Sequence, residues 1–267
     1  AWCATSGLAL GRGPAEAGTP SERGSSSGIS SGMPEFTPSP AASAGAIVRR
    51  RRSAVAMDGH TSLGSRAFFA LLEALLPTPH AVPWDVLPGP PHVHLGLFVH
   101  RVEGLAPGLY VFVRRSEAQA ELRAAMHGKF SWTSPPGCPA SLPLFLLEAG
   151  KVQSLAAQVS CGQDIAGQSA FSLGMLAEFE PVLTRFGAPA YRHLYWEAGA
   201  IGQVLYLQAA AAGVASTGIG CFFDDPVHAA FGLCDRKFQS LYHFTVGGAV
   251  PDSRLATEPA YPPPAVP

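Results

Sequence analysis

Arg49-Arg50-Arg51-Arg52 runs directly into Ser53. A phosphate monoester is held by guanidinium forks with a hydroxyl donor beside them, and this run supplies both where the apolar part of the chain begins. A charge run is equally at home as a solvated face, so its meaning depends on what accompanies it. Two features do. Thr217-Gly218-Ile219-Gly220 follows the longest apolar stretch, with glycines that let a planar ligand approach the backbone or simply form a tight turn. Arg254 lies beyond the last predicted strand, as a further basic contact or as a surface charge.

Other chemistry-bearing patterns carry less. His92 and His94 are two apart on a predicted strand and share a face, which suits a metal pair, but no third ligand stands at a recognisable spacing; polar positions lining a cleft is the alternative. Asp224-Asp225 could attract a cation, yet Pro226 behind them explains Asp225 as a helix cap. There is no P-loop and no GxGxxG, and the one GxSxG match, Gly24 to Gly28, falls in low-complexity sequence where chance matches are expected.

Composition sets the frame. With 47% hydrophobic residues, the 267-residue chain can bury a substantial core, and a net charge of −1 provides no concentrated positive field for nucleic acid or an acidic membrane. A small-molecule ligand is the better expectation. Five cysteines without a CxxC pair signal neither a disulfide framework nor a zinc knuckle and read as free thiols in a reducing, cytoplasmic compartment. The first ten residues lack the basic start and apolar run of a secretory leader, and the chain opens without methionine, as a processed product or a piece of a longer polypeptide would. Ile201 to Ala215, the most apolar stretch, is broken by Gln203 and Gln208 and falls short of a bilayer span.

These residues must be positioned by a folded domain that starts near residue 46. Residues 1–45 are rich in Ser, Gly and Pro and read as a disordered linker; 46–261 form one domain, and 262–267 a proline-rich tail. Phe68, Phe69, Leu71, Leu72, Leu75 and Leu76 recur at helical spacing up to Pro77. Strands are predicted at Val93–Arg101, Gly108–Val113, Pro143–Leu147, Ala170–Phe179, Ile219–Phe223 and Tyr242–Val246. Between them Tyr191–Ala212 is apolar nearly all round, as a helix buried against several neighbours or a second subunit would be, and Gly199 and Gly202 permit close approach. Helices and strands mix without strict βαβ alternation, so the class is α+β.

In this order, Arg51-Arg52-Ser53, Tyr191-Arg192 through Glu197-Ala198-Gly199 to Gln203 and Leu207, Gly218-Ile219-Gly220-Cys221-Phe222-Phe223-Asp224-Asp225 and Tyr242-His243-Phe244-Thr245-Val246-Gly247 resemble the nitroreductase superfamily, nearest its SagB/ThcOx-type dehydrogenase branch. The resemblance covers roughly Ile47 to Tyr261. It implies a nitroreductase-like α+β fold, a central mostly antiparallel sheet packed by helices, in which two domains pair and bind FMN at their interface. Carried over, Arg51, Arg52, Ser53 and Arg254 would contact the FMN phosphate. Pro90, Pro91 and His92 would lie along the ribityl chain and ring, and Ile219 and Gly220 at the N5 edge. There, hydrogen bonding tunes the flavin.

The chain also departs from the family pattern. Val55 and Met57 stand where relatives often carry a basic and an aromatic residue, and none of Lys129, Lys151 and Lys237 is followed by Tyr, the pair linked to azoline oxidation. The resemblance therefore implies an FMN-dependent oxidoreductase exchanging hydride by a ping-pong route between a donor, possible NAD(P)H, and a small electrophilic or oxidisable substrate. The alternative is a degenerate copy serving as dimerisation partner of a second one. Either way a homodimer or a tandem pairing is implied, with neither nucleic acid nor membrane as partner.

Overall fold

The computed structural model describes residues 43–256. Most of the predicted linker and all of the proline-rich tail lie outside these residues, as does the GxSxG match. Helix α1 (Ala44–Arg50) opens the described chain, its first turn capped by the Ser43 hydroxyl accepting from Ala46 N at 3.3 Å. Ala44 and Gly45 are thus helical. The helix ends on Arg49 and Arg50, placed where positive charge offsets the helix dipole. Arg51 to Ser53 then continue as extended chain.

Helix α2 (Ser65–Glu73) follows, then strands β1 (Val93–Val99) and β2 (Gly108–Phe112), helix α3 (Gln119–Ala125) and strand β3 (Leu144–Ala149). Helices α4 (Gln153–Val159) and α5 (Asp164–Gln168) lead into strand β4 (Phe171–Glu178) and helices α6 (Phe179–Phe186) and α7 (Tyr191–Ala211). Strand β5 (Ala215–Ile219), helix α8 (Asp224–Phe231) and strand β6 (Phe238–Gly247) complete the fold. The strands form one sheet in the order β3-β2-β1-β4-β6-β5, antiparallel throughout, with β4 registered on β1 through Gly174 opposite Gly96. The α+β class and mostly antiparallel sheet expected from the sequence are therefore present.

Burial on both faces explains why the central strands read as continuous apolar runs rather than alternating ones. In β1, Val93, Leu95, Leu97 and Val99 enter the core under α2 and α7, while Phe98 enters the core under α4 and α8. The predicted segment Ala170–Phe179, ambiguous on periodicity, is a strand because both its edges are paired, by β1 and by β6. Helix α7 lies across one face, burying Leu194, Ala198, Ile201, Leu205 and Ala209. Its other side is open: Tyr191, Tyr195 and Trp196 are 43%, 41% and 53% exposed, so the apolar stripe is a surface and not core. Among the described residues no helix is long and apolar enough to cross a membrane.

Three expectations are corrected. The strand placed at Ile219–Phe223 is Ala215–Ile219 instead, because Gly213, at φ +76°, closes the turn after α7 and releases the chain into the sheet earlier. Asp225 does not cap α8; Phe223 occupies that position without a side-chain bond, and Asp224 and Asp225 sit inside the first turn, where their charge complements the dipole. Cys161 and Cys221 are not free thiols but a disulfide, joining positions 60 residues apart with Cα atoms at 5.9 Å. Proximity across the fold, invisible in the spacing, brings them together, and the inference of a reducing compartment from cysteine content falls with it.

Two buried histidines give the fold an acid limit. His100 Nε2 donates to Ala166 O (3.0 Å) and His243 lies between Ser160 and Ser240; burial pushes both pKa values down from 6.5 to about 4. The folded state holds them neutral while the unfolded chain protonates them, so their contribution is complete above pH 6.5 and lost as pH falls from there towards 4. Urea unfolding should show a falling midpoint between pH 7.5 and 5, and His243→Gln should flatten that dependence. An unchanged profile in the variant would contradict this role.

Candidate functional site

Helix α7 carries two groups of polar residues, one in each half. In its C-terminal half the Tyr206 hydroxyl lies 2.8 Å from Ser53 Oγ and accepts from Gly218 N at 2.9 Å. Because that oxygen already accepts a bond, its own proton is available to Ser53. Ser53 also bridges Ser216 in parallel fashion, with Ala54 N donating to Ser216 O at 3.0 Å, so the segment after α1 is laid along β5. The Arg51 guanidinium sits 4.8 Å over the Tyr206 ring and makes no hydrogen bond among the described residues, leaving its N–H groups open to an anion. Arg52 is occupied differently: Nη1 donates to Arg49 O at 2.9 Å and to Arg51 O at 2.7 Å.

Ile219 and Gly220 stand at the C-terminal end of this same strand. The Ile219 side chain is buried in the opposite core, so only its backbone is offered to a ligand, whereas Gly220 is exposed. Gly218 is needed for close approach, since a Cβ there would meet Tyr242 Oη at 2.6 Å. The segment beyond Gly220 is fastened by the Cys221 disulfide, by Phe223 N donating to Val159 O at 2.8 Å, and by Phe222 stacked on His243 at 4.4 Å. Arg254 is exposed and pairs with Asp252 at 2.8 Å. Its approach is nonetheless directed: Val250 N donates to Ala56 O at 3.1 Å and Met57 bridges Ala249 in antiparallel sense, so the chain after β6 runs back towards Ser53.

Pro90, Pro91 and His92 belong to the other half. Glu197 of α7 accepts from His92 N at 2.9 Å and Val93 N at 3.2 Å and is bound by Arg114 Nη1, closing the start of β1 against the helix. Glu178, at the end of β4, accepts from His92 Nδ1 at 2.9 Å, from His94 Nε2 at 3.0 Å and from Arg115. Burial alone would raise the Glu178 pKa, but the bonds from His92, His94 and Arg115 hold it well below the usual carboxylate range. His94 is fixed as the neutral ring with its proton on Nε2, since its Nδ1 accepts from Arg114 N at 3.1 Å. The two histidines thus share a face as expected, but their common partner is a carboxylate, and no cluster among the described residues could hold a metal.

Glu197 and Tyr206 are nine residues apart, about 13 Å along the helix axis at 1.5 Å per residue. One chain therefore does not gather Arg51–Ser53 and Pro90–His92 around a single small group. Tyr206, Glu178, Arg114 and Arg115 were not legible as site residues, because their partners come from elements up to 153 residues away. The one local signal was the Arg114-Arg115 pair at the end of an otherwise apolar strand.

The nitroreductase family model matches residues 107–248, from the start of β2 to the end of β6. Similar solved structures include one described as a nitroreductase from Anabaena variabilis ATCC 29413, at 21% identity over 76% of this chain with a TM-score of 0.57; the chain spans 37% of that protein's length. A second, described as a nitroreductase from Ralstonia eutropha JMP134, has 17% identity over 82% of this chain and 89% of its own, with a TM-score of 0.54. A third is the Escherichia coli microcin synthetase McbBCD complex with truncated pro-MccB17 bound, at 19% identity, 82% and 77% coverage and a TM-score of 0.56. At such identities the likeness is one of fold. No curated protein matches the sequence significantly. With the family model spanning more than half of the chain and the six-stranded sheet arranged as its fold requires, the chain belongs to the nitroreductase family.

Proposed function

We propose that the chain binds FMN and works as a flavin-dependent oxidoreductase of the SagB/ThcOx-type branch. The observation that carries this reading is the junction at Tyr206, which holds Arg51 and Ser53 against β5, the strand ending in Ile219 and Gly220. The residues present fit the group. Arg51 has unengaged N–H donors for a phosphate, Ser53 adds a hydroxyl, and Arg52 and Arg254 contribute positive charge from the flanking chain. Ile219 and Gly220 offer backbone to the reactive edge of a planar ring, and a side chain at Gly218 would crowd Tyr242. When bound, the flavin supplies acceptance and release of hydride, and the protein's part is to position it and tune its edge. The same reading takes NAD(P)H as the electron donor and a small electrophilic or oxidisable molecule as the second substrate.

The same reading has the flavin shared between two copies, as the family resemblance implies. Pro90, Pro91 and the backbone of His92 from one copy would complete the site that Arg51–Ser53 begins on the other. The exposed Tyr191, Tyr195 and Trp196, with Gly199 on the same open side, suit the apolar contact between them. Gly202, also named from the sequence, points inwards: a Cβ there would lie 3.6 Å from the Phe244 ring. Gly199 has open space around it and is the better probe of assembly.

Two measurements follow. Arg51→Ala should weaken FMN binding by about 1.5 to 3 kcal/mol, the range for a hydrogen bond to a charged group, in a flavin fluorescence-quenching titration; unchanged affinity would contradict the phosphate assignment. Gly199→Leu should lower both dimer content in sedimentation and bound flavin, because overpacking a close contact costs about 1 to 3 kcal/mol. A monomeric wild-type chain holding one FMN would overturn the shared site.

A further inference from the structure

Beneath the proline-rich segment Pro77–Pro91 lies a cavity of about 360 Å³, bounded by that segment, by α6 and by the N-terminal half of α7. Its volume falls within the range of small-ligand sites. Trp84, Leu87, Phe186 and Leu194 supply apolar walls, and His92, Arg114 and Glu197 line the polar end. The charges at that end cancel. Glu197 is bound by Arg114, and Glu178 by Arg115 together with the two histidines, so the two carboxylates face two guanidiniums.

His92 is the exception to this mutual satisfaction. Its Nδ1 lies 2.9 Å from the Glu178 carboxylate and donates to it, and Nε2, which has no partner among the described residues, is a lone-pair acceptor whenever the ring is neutral. A group meeting that atom must bring a proton. Arg114 is held in place behind the polar end: its side chain is 1% exposed, Nε and Nη1 are engaged by Leu75 O, Val93 O and Glu197, and Nη2, which finds no acceptor, is closed off from the cavity. The Trp84 ring, 4.7 Å from the Arg114 guanidinium, extends the wall with an aromatic face.

We propose that this cavity is a binding site for a neutral, flat hydroxyaromatic molecule, whose hydroxyl donates to His92 Nε2 while its ring packs among Trp84, Phe186 and Leu194. The site lies apart from the junction at Tyr206 but shares Pro90, Pro91 and His92 with the segment assigned above to the flavin, using the His92 side chain where the flavin reading uses its backbone. Glu178 acts as a positioning residue, fixing the tautomer and orientation of His92.

Calorimetric titration of the full chain with 2-naphthol tests this, with 2-methoxynaphthalene and 2-naphthoate as controls of the same ring. Saturable binding of one 2-naphthol per chain is expected, about ten-fold tighter than the methyl ether that lacks the proton and tighter than the anion. His92→Leu should erase the preference over the ether, and Leu194→Trp, which fills the cavity, should abolish binding while the thermal melt reports that each variant folds. The comparison of ligands on the wild-type chain stands even if a variant does not fold. Equal binding of alcohol and ether, preference for the carboxylate, or no binding would each overturn the proposal. Flavin binding, followed separately by visible absorption, tells failure of this site from failure of the oxidoreductase reading.

Discussion

A single phenol hydroxyl joins three parts of the chain that are distant in sequence. Tyr206 lies on α7, Gly218 on β5 and Ser53 on the segment leaving α1, and the hydroxyl bonds to the latter two at 2.9 and 2.8 Å. Its ring meets Phe244 edge-on at 4.8 Å, which ties the junction to the core of β6. Without this contact α7 could still pack on the sheet through Leu205 and Ala209, and the basic segment would keep only its backbone pairing to Ser216 and the Arg50 bond to Ala210 O beside the strand that leads to Gly220. Tyr206 thereby makes neighbours of the two segments assigned in the proposed reading to the phosphate and the ring edge.

The other half of α7 solves a different problem. The start of β1 must emerge from a proline-rich segment that lacks many backbone donors, and two carboxylates take over the role of pairing. Glu197 receives both N–H groups at the strand's beginning, and Glu178 receives the side chains of His92 and His94. Such nodes hold only as complete sets: removing one partner of the buried Arg114–Glu197 pair would leave an uncompensated charge at a cost of about 3 to 5 kcal/mol.

Much of the fold was legible because its elements follow local rules. The spacing of Phe68 to Leu72 marks α2, the apolar runs from Val93 and from Gly108 mark β1 and β2, and the nearly all-round apolar pattern of Tyr191–Ala212 marks α7. Errors arose where a tertiary contact decided the outcome. Gly213 took the turn that Gly218 seemed built for, Asp225 entered the helix it was expected to cap, and two cysteines without motif spacing met across the sheet's end. Of the candidate site, Arg51 and Ser53 were visible through their types and adjacency. Tyr206 and the Glu178 and Glu197 nodes were not, since hydrogen bonds between residues as far as 153 apart leave no periodicity to read.

The central claim, that the Tyr206 junction forms part of a flavin site, is tested most directly by the visible spectrum of the purified full chain after incubation with excess FMN and gel filtration. The account predicts that flavin absorption bands co-elute with the protein in stoichiometric amount and in a dimer-sized peak. Protein that elutes folded and colourless would contradict it, and would leave the nitroreductase fold here as a partner module without a cofactor of its own.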